Sequence, residues 1–375
     1  MKKLIALLLA LAMVLSLVAC GTESTGDKQE EQPNVSENVP QPEETQTPEP
    51  SQEPEQVLNN ETVEYYFQKA NEVQVTDTHV IFTDDGSGQE MSIEKNPQNV
   101  AVLYGSLICL WHEAGGTVPL VVGGKSSITL YKEQIGRDIT QDEGVKVVTE
   151  SSSGTGWDVE AILAEKPDLI VTSVGMKGYA TIAEPAAAIG VPVIGIDYDG
   201  VQDYLKWFKV FCNLSGHPEL WEEVAEKTAN EIIEIVSKVP KDVEAPTGVI
   251  FIVSSDALKA YTCANQSGQM LVELGGVNAV DPDGTAEKSS AEISLEDLYA
   301  LDPDYLFLNW YGEEGEMYDK LMSMVEGNPV WEGLRAVKDG HFYLLEKSLF
   351  HNKANKRYSE AYQAMAQMLY PDAGF

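Results

Sequence analysis

From residue 99 onward the chain alternates short apolar runs with longer segments of helical period. The first runs are "NVAVLY" (99–104), "VPLVVGG" (118–124), "VKVV" (145–148), "PDLIVTS" (167–173) and "VPVIGIDY" (191–198). Unbroken apolar runs, flanked by glycine and separated by helix-length stretches, predict a mostly parallel sheet with helices on both faces. After residue 246 the pattern returns in "GVIFIVSS" (248–255), "PDYLFLNW" (303–310) and "HFYLLE" (341–346), so a second α/β unit is expected. Ahead of both, "VQVTDTHVIFTDDGSGQEMSI" alternates apolar and polar positions around Asp85-Gly86, a hairpin pattern.

Between the two units, "HPELWEEVAEKTANEIIEIVSKV" (217–239) has no glycine and repeats its apolar residues at helical intervals. A helix from Pro218 to Lys238 would run about 30 Å, enough to reach from one unit to the other. Pro218 suits a first turn and Pro240 marks the exit. The closing "NKRYSEAYQAMAQMLYP" sets Tyr358, Tyr362, Met365 and Leu369 at helical spacing, and packing is their expected role.

The ends of the chain read differently. Lys2 and Lys3 precede an apolar run from Leu4 to Val18, and "LVAC" ends at Cys20. This is a bacterial export signal, too short for a comfortable membrane span. A small residue before cysteine resembles the lipobox of bacterial lipoproteins, which implies that Cys20 becomes the lipidated first residue; the alternative is an ordinary secretory signal with a chance cysteine. Residues 21–61 are rich in Glu, Gln, Pro, Thr and Ser, cannot bury a core, and read as a disordered acidic tether.

Length and charge narrow the picture. A chain of 375 residues, 43% of them hydrophobic, exceeds what one core usually serves. Its formal net charge of -35 disfavours nucleic acid and anionic lipid surfaces as partners. Beyond Cys20 stand Cys109, Cys212 and Cys263, an odd number for an exported protein. Cys109 and Cys212 fall in helical patterns, as buried thiols or one disulfide, and Cys263 in a loop.

Enzymatic motifs are missing. There is no Gly-x-Ser-x-Gly elbow, no His-Glu-x-x-His and no dinucleotide fingerprint in a suitable setting. "GGKSS" (123–127) fails as a phosphate loop, since position 119 is proline. The histidines His79, His112, His217, His341 and His351 stand far apart, unlike a bare-metal receptor's clustered ligands. Neither a cofactor nor a structural metal is expected. Cys263 is the one plausible nucleophile for a competing surface-enzyme reading, with no histidine assigned to activate it.

One unit occurs twice. "DVEAILAEKPDLIV" (158–171) and "SLEDLYALDPDYLFL" (294–308) each place a glutamate, Glu160 or Glu296, seven positions before Pro-Asp and a following apolar run. Asp158 and Ser294 look like N-caps, which would put both glutamates in first turns favoured by the helix dipole. Asp168 and Asp304 read as turn formers. With "GQMLVELGGVNAV" (268–280), the bridging helix and "NPVWEGLRAVKDGHFYLL" (328–345), these strings resemble the substrate-binding lipoproteins of bacterial ABC importers for iron chelates, haem and cobalamin, over about residues 75–372.

The resemblance implies two similar α/β lobes, 62–216 and 241–375, joined by one long helix (217–240), with ligand held in the interlobe cleft. It implies a non-catalytic, extracytoplasmic, lipid-anchored capture protein that serves an ABC permease dimer and its ATPase subunits. Glu160 and Glu296 match the family's permease-docking acids, one per lobe. The expected cargo is a ferric siderophore or similar iron chelate, with haem or a corrinoid as alternatives. Ligands of open α/β lobes lie beyond the carboxyl ends of the strands. Tyr104, Lys125, Tyr261, Trp310, Tyr311 and His351 are the preferred contacts there. Tyr198 and Phe350 could equally be core edges.

Overall fold

The structure, a computed structural model, describes residues 60–117, 120–121, 124–142, 144–147, 157–254, 257–312 and 315–375; the side chains of residues 60, 120, 121, 124 and 125 are outside that description. Cys20 and the tether up to residue 59 therefore lie outside the described residues.

The described chain opens with α1 (Asn60–Asn71) and β1 (Gln74–Val75), β2 (His79–Thr83) and β3 (Glu90–Glu94). The first lobe follows as β4 (Val100–Val102), α2 (Gly105–Glu113), β5 (Leu120–Val121), α3 (Gly124–Ile135), β6 (Lys146–Val147), α4 (Val159–Ala164), β7 (Leu169–Ser173), α5 (Tyr179–Ala188), β8 (Val193–Ile196) and α6 (Val201–Leu214). The bridge ends in α7 (Lys227–Ser237). The second lobe begins with β9 (Thr247–Ser254), β10 (Ala257–Tyr261), α8 (Gln266–Glu273), β11 (Val277–Asn278), β12 (Ser290–Ile293), α9 (Leu295–Leu301) and β13 (Tyr305–Leu308). It closes with α10 (Glu316–Val325), α11 (Pro329–Gly333), α12 (Arg335–Lys338), β14 (Phe342–Leu344), α13 (Lys347–Phe350) and α14 (Tyr358–Leu369).

Every apolar run of the sequence analysis contains a strand. The first-lobe sheet has the order β6-β5-β4-β7-β8, parallel throughout. The second has the order β12-β10-β9-β13-β14, with β11 beside the start of β9. Here β10 turns back antiparallel from β9 and pairs with β12, a hairpin the apolar runs did not announce. The Asp85-Gly86 pattern is the turn between β2 and β3.

Alternation along the strands sorts side chains between cores. Val100, Val102, Leu169 and Val171 face one core together with Ile250, Phe307, α2, α6, α7 and α14. Ala101 and Ile170 face away under the first lobe, and Val249, Phe251, Leu306 and Leu308 under the second. The inner faces of both sheets thus border one continuous core. Tyr358, Tyr362, Met365 and Leu369 are all buried in it, as their spacing implied.

The bridge departs from its expected outline. Pro218 lies in a turn ahead of the helix rather than in its first turn, and Trp221–Glu226 is wound as a π-helix continuous with α7. Trp221 is held there by Phe67, ring centroids 6.1 Å apart, and by Lys209 over its ring. Phe67 belongs to α1, whose first two residues, Asn60 and Glu61, were assigned to the tether on composition. Helical spacing of Val63, Tyr66, Phe67 and Ala70 explains why the chain folds from this point.

Helix α1 touches both lobes. Lys69 pairs with Asp203 of α6 at 2.5 Å. Tyr65 and Tyr66 donate hydroxyl hydrogen bonds of 2.7 and 2.8 Å to Glu273 at the end of α8, and Tyr362 of α14 donates a third. Cys109 and Cys212 are buried free thiols, and Cys263 is a part-exposed one.

Candidate functional site

The repeated unit has a repeated structure. In both lobes an earlier helix, α2 or α8, ends on a left-handed glycine, Gly115 or Gly275, with φ of 84° and 75°. Gly116 and Gly276 each donate back five residues, to Trp111 and Leu271, which satisfies the last carbonyls of the helix. Asp158 caps α4 by accepting from the Ala161 amide, and Ser294 caps α9 in a reciprocal box with Asp297. The residue before each proline, Lys166 or Asp302, adopts a positive φ. Asp168 then accepts from the amides of Gln98 and Asn99, just ahead of β4, and Asp304 from the amide and hydroxyl of Thr247, the first residue of β9. The two aspartates are thus clamps between neighbouring strand starts, beyond the turn role read from sequence.

Because other residues do the capping, Glu160 and Glu296 are spared for something else. Both are exposed, and no side-chain hydrogen bond or ion pair joins either carboxylate to another described residue. Helix α4 leaves the carboxyl end of β6 and returns to the start of parallel β7, so its N-terminus stands on the side where the strands end. Helix α9 does the same between β12 and β13. Both glutamates therefore lie on the cleft side of their sheets.

On that side the lobes meet through the segment after α13. Asn355, fully buried and at φ 54°, accepts from the Tyr198 hydroxyl (2.9 Å) beyond β8 and donates to the Ser106 carbonyl (3.2 Å) beyond β4. Lys353 pairs with Asp199 at 2.9 Å and lies over the Tyr198 ring. Tyr198 and Phe350 are core residues, settling the alternative left open for them. Three amide and hydroxyl donors, from Gln266, Ser267 and Asn309, converge on the carbonyl of Phe350 and hold this segment in place.

The second-lobe candidates come together. Trp310 donates its indole hydrogen to Leu345 (2.6 Å), and Lys347 lies 5.4 Å over its ring while bonding the Gly312 carbonyl. Tyr311, 41% exposed, stands 5.9 Å from His351, ring to ring. Burial, with Lys347 and Lys353 nearby, lowers His351 to about 4, so its imidazole is neutral at neutral pH. Burial first and Tyr311 second push the Tyr261 hydroxyl up to about 12, so it remains a hydrogen-bond donor. Register places Tyr261 further back: β10 runs antiparallel to β9, so Tyr261, one residue past the Ala260–Phe251 pair, stands level with Ile250 and Phe307, and reaches Tyr311 only through its side chain's electrostatic influence.

The first-lobe candidates are more dispersed. Tyr104 follows β4 as the residue before α2, part-buried against the shared core, and no described hydrogen bond or ring contact joins it to the cluster. Lys125 sits in the first turn of α3, its side chain outside the described residues. Between Asp197, Asp199 and Asp203 on one lobe and Cys263, Gln269 and Glu287 on the other lies a polar cavity of about 580 Å³. Asn355 and the Lys353–Asp199 pair were missed from sequence because a lone polar residue reveals its burial only through its partner from the other lobe.

Two α/β lobes, a single connecting helix and strand ends that look across a cleft define a two-lobed solute-binding protein. The chain belongs to the periplasmic binding protein family, whose profile matches residues 100–349. This is a family of binding proteins rather than enzymes. The Fe(3+)-citrate-binding protein YfmC of Bacillus subtilis is 27% identical over 269 residues, covering 71% of this chain and 78% of that protein. The iron(3+)-hydroxamate-binding protein FhuD of the same organism is 24% identical over 282 residues, covering 72% and 80%. Among solved structures, a periplasmic binding protein from Veillonella parvula superposes with a TM-score of 0.63 at 16% identity, covering 79% of this chain and 99% of that one. The petrobactin-binding protein YclQ from Bacillus subtilis gives 0.57 at 17% identity over the same shares. These structures share its two-lobed fold.

Proposed function

We propose that this protein is the extracytoplasmic substrate-binding lipoprotein of an ABC importer, and that it captures a ferric siderophore or similar iron chelate between its lobes. The observation that carries the reading is the Trp310, Tyr311 and His351 cluster beyond β13, with the Tyr261 hydroxyl within electrostatic reach of Tyr311, which offers aromatic faces beside neutral hydrogen-bonding groups. The ligands named for YfmC and FhuD, both iron chelates, support the choice of cargo. A further relative, YhfQ of Bacillus subtilis, is described as a putative ABC transporter substrate-binding lipoprotein, which accords with an anchor on Cys20. Tyr104 and Lys125 complete the first-lobe wall in this reading. Haem or cobalamin is the alternative cargo.

Delivery runs through Glu160 and Glu296, which dock in basic pockets of the two permease subunits. Their exposure, freedom from other partners and common placement on the cleft side support this role. Charge pairs of this kind steer association and set orientation.

The test is a tryptophan-fluorescence titration of residues 57–375 with ferric siderophores, haem and cobalamin. Saturable quenching by one chelate at sub-micromolar concentration is expected. A folded protein silent across the panel overturns the proposal. Reversing both glutamates to lysine should abolish uptake by cells carrying the importer and leave the titration unchanged; loss of ligand binding in that variant would reject the docking role.

A further inference from the structure

Two free strand edges border one cavity beside the first lobe. Strand β3 ends the three-stranded sheet β1-β2-β3, and β8 ends the first-lobe sheet. The turn between β2 and β3 pins the two edges together at one end. There Gly86 donates its amide to the Gly195 carbonyl (3.0 Å), and the Gly195 and Asp197 amides donate to the carboxylates of Asp84 (2.7 Å) and Asp85 (3.0 Å). Beyond that turn lies a cavity of about 980 Å³, bordered by Ser92, Ile93 and Glu94 of β3, by Val193 of β8 and by Ala183 and Ala187 of α5. None of the proposed ligand contacts borders it.

Hydrogen-bond register fixes which backbone groups open on this cavity. Asp84 donates to the Gln89 carbonyl and Lys95 to the Thr78 carbonyl, so the bonded pairs of β2 and β3 include Phe82 with Met91 and Val80 with Ile93. The amides and carbonyls of Glu90, Ser92 and Glu94 therefore point away from β2, to the free edge. On β8, Ile170 donates to the Pro192 carbonyl and Val174 to the Ile196 carbonyl, so these residues and Ile194 face β7, while Val193, Gly195 and Asp197 face outward. The hairpin turn engages the last two and leaves Val193 to the cavity. No described strand pairs with either edge at this place.

We infer that the groove between β3 and β8 receives an extended segment of another polypeptide, which adds as a strand to both sheets. The side chains of β3 set its chemistry. Glu90 and Glu94, four residues apart on one face, are exposed and make no described ion pair, whereas Met91 and Ile93 turn to the other face and pack on the core. Directly opposed side chains share a face, so the incoming strand carries basic residues at its first and fifth positions and apolar residues at its second and fourth. That pattern reads the same in either direction. A second copy of this chain fails the requirement, since β3 laid antiparallel on itself about Ser92 sets Glu90 opposite Glu94.

The test titrates the full chain, purified in mild detergent, with a labelled, end-capped Lys-Val-Thr-Val-Lys peptide, with its scrambled form Lys-Lys-Thr-Val-Val, and with the first peptide N-methylated at alternate residues. Saturable binding of the first alone is expected, with slowed hydrogen exchange of the Ser92, Glu94 and Val193 amides. The variant Glu90→Lys, Glu94→Lys should bind it about tenfold more weakly. Ser92→Pro removes an amide that the β2–β3 ladder does not use, so it should keep the wild-type Tm and lose the peptide. Equal binding by the N-methylated or the scrambled peptide marks adsorption by charge and overturns the inference. Protection confined to other segments overturns it too, as does a folded chain that binds no peptide. Self-association that Ser92→Pro abolishes would assign the groove to a second copy and overturn it likewise.

Discussion

Glu273 offers the sharpest test of how the two lobes are held. Its carboxylate, at the end of α8, accepts from Tyr65 and Tyr66 of α1 and Tyr362 of α14, and no cation accompanies it in that group. Tyr66 and Tyr362 are 1% and 2% exposed, whereas Tyr65 is 39% exposed. Replacing Glu273 by alanine leaves two buried hydroxyls without an acceptor, at about 1–3 kcal/mol each, while the Tyr65 hydroxyl turns to water. Relief of the carboxylate's desolvation offsets part of this, so the expected net loss is about 2–4 kcal/mol. Urea denaturation of residues 57–375 at pH 7 measures it.

The same site carries a pH signature. Burial outweighs the three phenolic donors and holds the folded-state pKa of Glu273 above the ordinary glutamate range. The folded protein then keeps a proton that the unfolded chain has released, so this residue's contribution to stability falls as pH rises from that range through the folded value. Glu273→Gln removes the titration and keeps most of the hydrogen bonding. Wild type minus Glu273→Gln should therefore decline from pH 4 to pH 7, by ~1.4 kcal/mol for each unit by which the pKa is raised. A pH-independent difference, together with an alanine variant as stable as wild type, would refute the reasoning.

Other substitutions probe the remaining elements. Gly268→Ala would put a Cβ 2.0 Å from the Thr262 carbonyl oxygen, a backbone clash that should cost about 3 kcal/mol and show as a lowered Tm. Asp168→Ala and Asp304→Ala should each destabilise by about 1–3 kcal/mol, since each removes a carboxylate that clamps the start of a neighbouring strand; denaturant midpoints unmoved by either change would discount the clamp. His351, lowered to about 4, supplies stability that is present above pH 6.5 and lost as pH falls toward 4, up to ~3 kcal/mol. His351→Gln should abolish that acid-side loss in a pH series of thermal melts, and an unchanged profile would exclude the buried neutral imidazole.

Much of the architecture is legible in local pattern. Runs such as "PDLIVTS" and "PDYLFLNW" became β7 and β13 because strands buried on both faces need unbroken apolar stretches. The duplicated Glu…Pro-Asp unit carried its caps and its turn in residues close along the chain, so it could be recognised twice without coordinates, whereas the strand clamps of Asp168 and Asp304 reach partners 57 to 70 positions away and needed the fold. Helix α1 and the β10–β12 pairing escaped notice. The one is short and adjoins a polar tether, and the other alternates half-exposed residues over only a few positions.

The site followed the same division. By itself the sequence determined two α/β lobes, a bridge, the repeated unit and the residue types that stand beyond the strand ends, because periodicity and capping are local properties. Only the tertiary structure decided that Asn355 locks Tyr198 to Ser106, that Glu273 gathers three tyrosines from two distant helices, and that Lys353 is committed to Asp199. Each depends on groups that lie far apart in the chain, and burial alters a side chain's charge and bonding only once such partners have met.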